Sequence, residues 1–408
     1  MLRFSTSSSE SLTINSLRVA LLNYIKSRQM SDTFFLRIND LNSSTEAEAQ
    51  ITIDILKKFA IDTENTIYQS KNLSIYQKMA KRLVDEKKAF SCFCHGASHC
   101  QCQEIPKAER QKRIQNGEKF SLWIKKPSED ITIIDALQSK IVFKTEAFEN
   151  ILIMDSNGNP SNVFASAIDD MSNNINFIIE EIQKSKSTAE SQYIQQQLGY
   201  KKKIQYYHIP TLKNRDGSSL TVKTLLEEGY LPDAIINYLL YLSGLKDKDI
   251  YYLPDAIEKF DFDAIATQTP IEFSLNMLKE FNKKHLKSMD AKKVSSIFGF
   301  ADSDIGELLK LYLDDASTIN ELEEYFTPLF QKKACNDREK VLSKIILNSP
   351  YFKEYGAFKN YLLSQCDLKE EELERSLRKL LIGNEEGPEL SKIYNFLKSY
   401  LLEVAQCQ

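Results

Sequence analysis

The sequence predicts an α/β fold built on a parallel sheet, followed by an all-α C-terminal region, and three observations point there. Residues 3–21 read as a short apolar strand, a polar turn and a helix with Leu17, Ala20, Leu21, Tyr24 and Ile25 on one face. Strand-like and helix-like patterns then alternate, which argues for crossover units and a parallel sheet. From about Asp302 onward the apolar spacing is helical only. Glycine and proline are sparse, 12 and 10 of 408 residues, so helices run with few breaks.

The length suits two to four domains with a substantial core. A net charge of −4 excludes a global basic field, so any nucleic-acid surface is a local patch. No apolar run approaches the roughly 18 residues of a membrane span. Residues 5–11 are nearly all Ser or Thr and give no signal-peptide pattern, so a cytoplasmic protein is expected.

In chain order, the helix after the first turn would offer free N–H groups to a phosphate. Residues 33–38 read as a buried strand, and Asn39-Asp40-Leu41-Asn42 as a turn. Thr45 with Glu48 forms a capping-box pattern, opening a helix to about Phe59. Ser74 is a candidate cap for the next helix, with Met79, Leu83 and Val84 inward.

Residues 120–154 turn strand-like, and residues 155–160 are a tight turn. His208 ends a strand-like run and reads as a satisfied strand-end histidine. Short helices surround Pro254 and Pro270. Helices are expected over 303–314, 318–331, 336–348, 354–366 and 368–382. Pro388 then opens a last helix with Leu390, Ile393, Leu397 and Leu401 inward.

Four of the seven cysteines fall within eleven residues, as two C-x-C pairs: Cys92, Cys94, Cys100 and Cys102. Four thiolates so spaced can surround one Zn²⁺ tetrahedrally and close its shell, which makes the expected zinc structural, not catalytic. His95 and His99 are alternative ligands. Cys335, Cys366 and Cys407 are scattered, as expected of reduced thiols. The segment 107–119 is basic; Lys107, Arg110, Lys112 and Arg113 read either as a solvated helix face or as phosphate contacts.

Several stretches carry a family resemblance. Residues 3–21 resemble the first signature of the glutamyl-tRNA synthetases, a class I family, which reads roughly R-F-A-P-S-P-T-G-x-L-H-I-G-G-L-R-T-A-L. Residues 36–42 are similar to its L-R-I-E-D-T-D, and Tyr68-Gln69-Ser70 to its Y-Q-S. Residues 157–170 follow D-G-T-P-T-Y-x-F-A-x-V-V-D-D. Residues 228–239 match E-G-Y-L-P-E-A-L-L-N-Y-L almost residue for residue, and Gly387-Pro388-Glu389-Leu390 resembles the end of the family's anticodon-binding bundle.

The resemblance implies a split Rossmann-like core (1–90 and 186–244) with an inserted α+β acceptor-binding domain (91–185). A stem-contact helical domain (245–300) and an anticodon-binding-like bundle (301–408) follow. It also implies tRNA and ATP as ligands, and it supports Cys92 and Cys94 as zinc ligands better than Cys100 and Cys102.

The frame of the signatures survives while their chemistry changes. Thr13 and Asn15 stand within the H-I-G-G stretch, Asn39 where the family has Glu, and Asn162 where it has Tyr. Glu180 replaces the Arg that would pair with the substrate's side-chain carboxylate, a charge reversal. In the second signature Ser219 and Val222 replace both lysines, and Lys223 alone keeps a cation. In the family those lysines stabilise charge on the leaving pyrophosphate, and losing such groups costs orders of magnitude in rate.

These substitutions favour a degenerate paralogue, a pseudoenzyme with ATP use in doubt. It would bind tRNA or a tRNA-handling partner: a tRNA-modifying enzyme, an amidotransferase or an active synthetase. The alternative is a divergent ligase in which Arg3, Ser7, Arg18, Asp40 and Lys223 serve a different pocket and an amino acid other than glutamate. A nucleotide or metabolite sensor, with Ser7–Ser11 as an anion nest, is a third reading.

Overall fold

The computed structural model describes residues 1–7, 11–41, 46–94, 100–214, 220–246, 250–267 and 270–408. The chain forms two compact units, Met1–Thr224 with Leu239–Ser274, and Leu225–Tyr238 with Leu275–Gln408.

The strands of the first unit are β1 (Leu2–Ser7), β2 (Phe34–Asn39), β3 (Asn65–Tyr68), β4 (Ala89–Cys92), β5 (Ser121–Ile124), β6 (Ile131–Asp135), β7 (Ser139–Phe143), β8 (Ile151–Met154), β9 (Phe177–Glu181), β10 (Gln205–Ile209), β11 (Leu212–Asn214) and β12 (Ile271–Phe273). Seven of them form one sheet in the order β3-β2-β1-β9-β10-β6-β7. It is parallel except for the β6–β7 hairpin at its edge. The apolar runs of β1, β2 and β9 are buried along nearly their whole length, as expected of strands covered on both faces. Strands β4, β5 and β8 make a separate antiparallel sheet. Residues 131–143 and 177–181, read from the sequence as part of an insertion, are strands of the main sheet.

The first helix, Ile14–Gln29, differs from its one-faced expectation. Arg18, Val19, Leu22, Asn23 and Ser27 are buried along with the apolar face. Its polar residues are tied to backbone or hydroxyl partners: Arg18 Nη1 donates to the Pro210 carbonyl at 2.6 Å and Nε to Ser243 Oγ at 2.8 Å, and Asn23 Nδ2 to the Ile179 carbonyl at 2.9 Å. A helix covered on several sides can still carry polar residues when each finds a partner. The next expected cap is also different. Ser74 lies inside the Leu73–Asp85 helix, whose N-cap is Asn72. Thr45 lies outside the described residues.

The second unit is helical. The Ile319–Phe330, Asp337–Leu347, Tyr355–Gln365 and Glu370–Ile382 helices follow the sequence expectation closely, whereas the helix expected after Pro388 ends at Leu397 and Leu401 opens a separate short helix, Leu401–Val404. They close on one core that includes Leu308, Leu342, Phe358, Leu377, Ile393 and Leu397. Asn336 and Glu339 form a capping box, and Gly383, at φ 77°, ends the Glu370–Ile382 helix in the left-handed region.

One expectation is corrected here. Cys335 and Cys407 are not separate reduced thiols; they form a disulfide with Cα atoms 5.7 Å apart. A parallel bridge between Lys333 and Cys407 brings the last residues beside the loop that precedes the Asp337–Leu347 helix. Sequence separation hid this pairing, because the two cysteines stand 72 positions apart with five helices between them. Among the described residues no helix is long and apolar enough to cross a membrane.

Candidate functional site

The C-terminal ends of β1 and β2 lie side by side, with Ser7 paired to Asn39 in register. In parallel sheets ligands bind beyond such strand ends. Next to them is a cavity of about 350 Å³. Four expected site residues line it: Arg3 from β1, Asn39 from β2, Asn162 from the helix Asn162–Ser172, and Glu180 from β9. Arg37, Asp170, Lys184 and Thr188 line it as well. The sequence reading passed over these four, although Arg37 and Asp170 stand inside stretches that carried the resemblance.

The charges of this cavity are bonded to one another. Arg3 is forked onto Asp170, Nε to Oδ1 at 2.8 Å and Nη2 to Oδ2 at 3.1 Å. Its Nη1 donates to Glu180 Oε1 at 2.8 Å. Arg37 Nη1 donates to Asp170 Oδ1 at 2.8 Å, and Lys184 Nζ to Glu180 Oε2 at 3.2 Å. Burial would raise the Glu180 carboxyl, but Lys184 and Arg3 hold it at about 2. Glu180 is therefore a buried, ionised carboxylate that occupies one arm of a guanidinium. Asn39 Oδ1 accepts from Arg37 Nε at 3.3 Å, the limit of a hydrogen bond.

The two stretches that resemble the family's signatures come together elsewhere in the same unit. Thr13 and Thr221 pair in an antiparallel bridge. The Ile14 N–H donates to the Leu220 carbonyl at 3.1 Å, and the Val222 N–H to the Leu12 carbonyl at 2.9 Å. Thr13 caps the first helix, its hydroxyl accepting from the Ser16 N–H at 3.1 Å. Asn15 clamps β11, its Nδ2 donating to the Leu212 carbonyl at 2.9 Å and its Oδ1 accepting from the Leu212 N–H at 2.8 Å. Val222 is fully buried. Lys223 follows it in the helix Val222–Glu227. Neither Thr13, Asn15, Val222 nor Lys223 lines the cavity. Ser219 lies outside the described residues.

Cys92, Cys94, Cys100 and Cys102 converge, all four sulfurs within 4.8 Å of one another. Individual Sγ–Sγ distances include 3.3 Å (Cys92–Cys94), 3.5 Å (Cys92–Cys100) and 3.7 Å (Cys94–Cys102). Tetrahedral thiolates about 2.3 Å from Zn²⁺ stand roughly 3.8 Å apart, so the set fits that ion. Burial and the neighbouring thiols push the Cys92 and Cys100 thiols up, which a divalent cation would reverse. His95 and His99 lie outside the described residues.

The basic helix Lys107–Gln115 buries none of its residues. Lys107 and Lys112 are exposed. Arg110 is bonded to the Ile105 carbonyl at 2.8 Å, and Arg113 to Glu109 at 2.9 Å with Phe93 under its guanidinium. His208 is bonded on both nitrogens, Nδ1 to Asp135 at 2.7 Å and Nε2 to Thr188 Oγ1 at 3.0 Å, as read from the sequence.

Residues 1–288 match the family model of the class I tRNA synthetases (E and Q), catalytic domain. The chain is 38% identical to a glutamate–tRNA ligase 2 of Sulfurovum sp. (strain NBC37-1), over 99% of this chain and all of that protein. The chain belongs to the glutamate–tRNA ligase family. A second relative, a glutamate–tRNA ligase 2 of Sulfurimonas denitrificans, is 37% identical over the full length of both chains. In fold, this family member is similar to the crystal structure of a glutamate tRNA ligase from Elizabethkingia meningosepticum in complex with its amino acid. The TM-score is 0.79, with 99% of this chain and 98% of that one covered at 18% identity. A synthetase sheet with a helical C-terminal region is therefore the architecture of this chain.

Proposed function

We propose that this member of the glutamate–tRNA ligase family is catalytically degenerate and acts by binding tRNA, or an enzyme that handles tRNA, without forming aminoacyl-adenylate. The observation that carries the reading is Val222. The family's second signature has a lysine at this position, and here a fully buried apolar side chain fills it, with its N–H bonded to Leu12. A cation for the leaving pyrophosphate has no place there. Asn15 supports the same reading, because its amide is bound to β11 where the family has a glycine.

In the cavity, Glu180 and Asp170 take up the guanidinium groups that a substrate carboxylate would need. Arg3, Ser7, Asn39, Asn162 and Glu180 form a former amino-acid site in this reading. Cys92, Cys94, Cys100 and Cys102 hold a structural Zn²⁺. Of the segment 91–185, the part outside the main sheet keeps an acceptor-binding role, with Lys107, Arg110, Lys112 and Arg113 toward the tRNA acceptor stem. Residues 245–300 and 301–408 keep stem and anticodon roles, and the protein works in the cytoplasm.

The second reading is a divergent ATP-dependent ligase. The names of the curated relatives favour it, as do the retained Arg3, Arg18, Asp40 and Lys223. ATP–pyrophosphate exchange across the twenty amino acids, with and without total tRNA, separates the two. Degeneracy predicts background exchange together with a salt-sensitive tRNA shift. Exchange above background with any amino acid overturns it and names the substrate.

A further inference from the structure

The chain's last residues are held by two kinds of contact. The inner part is packed: Val404 and Ala405 are fully buried, and the Ala405 carbonyl accepts from Ser343 Oγ at 2.6 Å. The outer part is held by the backbone and by one lysine. The Lys333 N–H donates to the Gln406 carbonyl, and the Gln408 N–H to the Lys333 carbonyl, both at 2.9 Å. Lys333 Nζ is buried and donates to the Leu329 carbonyl at 2.6 Å and to the Val404 carbonyl. It thus caps the ends of the Ile319–Phe330 and Leu401–Val404 helices together. The Cys335–Cys407 disulfide lies over this bridge, both residues half-buried.

A small secreted domain would need such a bond for stability, but this unit already closes on a large apolar core. Its loop of 72 residues encloses five helices, so forming or breaking it changes the constraint on about half of the unit. The third thiol of the unit, Cys366, is not in a disulfide and donates to the Leu362 carbonyl at 3.0 Å.

We propose that Cys335 and Cys407 are a site of reversible thiol oxidation that latches the C-terminal tail onto the helical unit. The oxidant is a low-molecular-weight disulfide, RSSR. One cysteine thiolate attacks it, forming a mixed disulfide and releasing RS⁻. The second thiolate attacks the protein sulfur of that bond and releases the second RS⁻. The two thiol protons pass to solvent, and the two electrons end on the two RSH formed. In the reduced state the tail keeps its packed inner part and the Lys333 contacts, while residues 406–408 lose their covalent tie.

The test uses the full chain equilibrated with oxidised or with reduced glutathione. Differential alkylation and peptide mapping by mass spectrometry read which cysteines pair, and amide hydrogen exchange reads the latch. The oxidised protein should show one Cys335–Cys407 cross-linked peptide pair, with Cys366 alkylated. Amides of residues 406–408 should exchange at least fivefold faster after reduction while those of residues 401–405 stay protected, and Tm should fall by roughly 5–10 °C. Cys335→Ser and Cys407→Ser should each give the reduced values in both buffers. Separate alkylation of Cys335 and Cys407 after oxidation, cross-linking through Cys366, or equal exchange in the two states would each overturn the proposal.

Discussion

Arg3 donates from Nη1 to Glu180 Oε1 at 2.8 Å across the β1–β9 neighbours, while its other two arms hold Asp170. Each of the three nitrogens of this guanidinium donates to a carboxylate inside the protein. The pair also fixes the sign of a pH dependence. A carboxyl held at about 2 against 4.5 ordinarily contributes on the order of 3 kcal/mol at pH values above 4.5. That contribution declines as pH falls from 4.5 toward 2. Urea unfolding between pH 2 and 6 should show wild type losing stability in this window, and Glu180→Gln should flatten that part of the profile.

Glu180→Ala leaves one Arg3 arm buried without its carboxylate and should cost about 3–5 kcal/mol. Glu180→Gln keeps an acceptor and should cost less. Chemical denaturation at pH 7 measures both. Equal costs for the two variants would show that the charge of Glu180 is irrelevant to the cluster.

Placing at position 222 the lysine that the resemblance implies should destabilise this chain, because Val222 is fully buried. We expect Val222→Lys to lose about 2–4 kcal/mol and to gain no pyrophosphate exchange. Calorimetry and the exchange assay on the same preparation check both halves.

Asn15→Gly removes both bonds to Leu212. Two backbone groups then lose side-chain partners, at a cost of about 1–3 kcal/mol. Thermal unfolding reads this directly.

The four clustered thiols should bind roughly one Zn²⁺ per chain. Mercurial titration with a colorimetric zinc indicator measures the stoichiometry. Cys102→Ser removes a buried ligand and should abolish tight binding. Retention of a full equivalent by that variant would move the fourth ligand elsewhere.

If Lys107 and Lys112 face the acceptor stem, replacing either with Ala should weaken tRNA binding and lower the salt slope by about 1. Nitrocellulose filter binding from 50 to 300 mM KCl checks this. A slope unchanged in both variants would leave the Lys107–Gln115 helix as a solvated face.

The sequence by itself determined the architecture and the family, because both are written in local patterns. Buried strand runs such as Phe34–Ile38, the helix spacing after Asp302 and the E-G-Y-L-P-like stretch at residues 228–239 are readable without knowing what they touch. The cysteine cluster was legible for the same reason, since its four thiols lie within eleven residues. Tertiary structure alone decided the state of the charges and the thiols. Glu180 reads as a charge reversal, but its distant partner Arg3 comes from β1, and Asp170, which shares that guanidinium, from the helix Asn162–Ser172, and only the sheet order brings them together. The all-round burial of the first helix depends on partners such as Pro210 and Ser243, nearly two hundred residues or more away. Cys335 and Cys407 meet only because the chain end folds back beside Lys333. Local pattern reports the face a residue prefers; which distant group neutralises, caps or oxidises with it is set by packing, which sequence spacing does not encode.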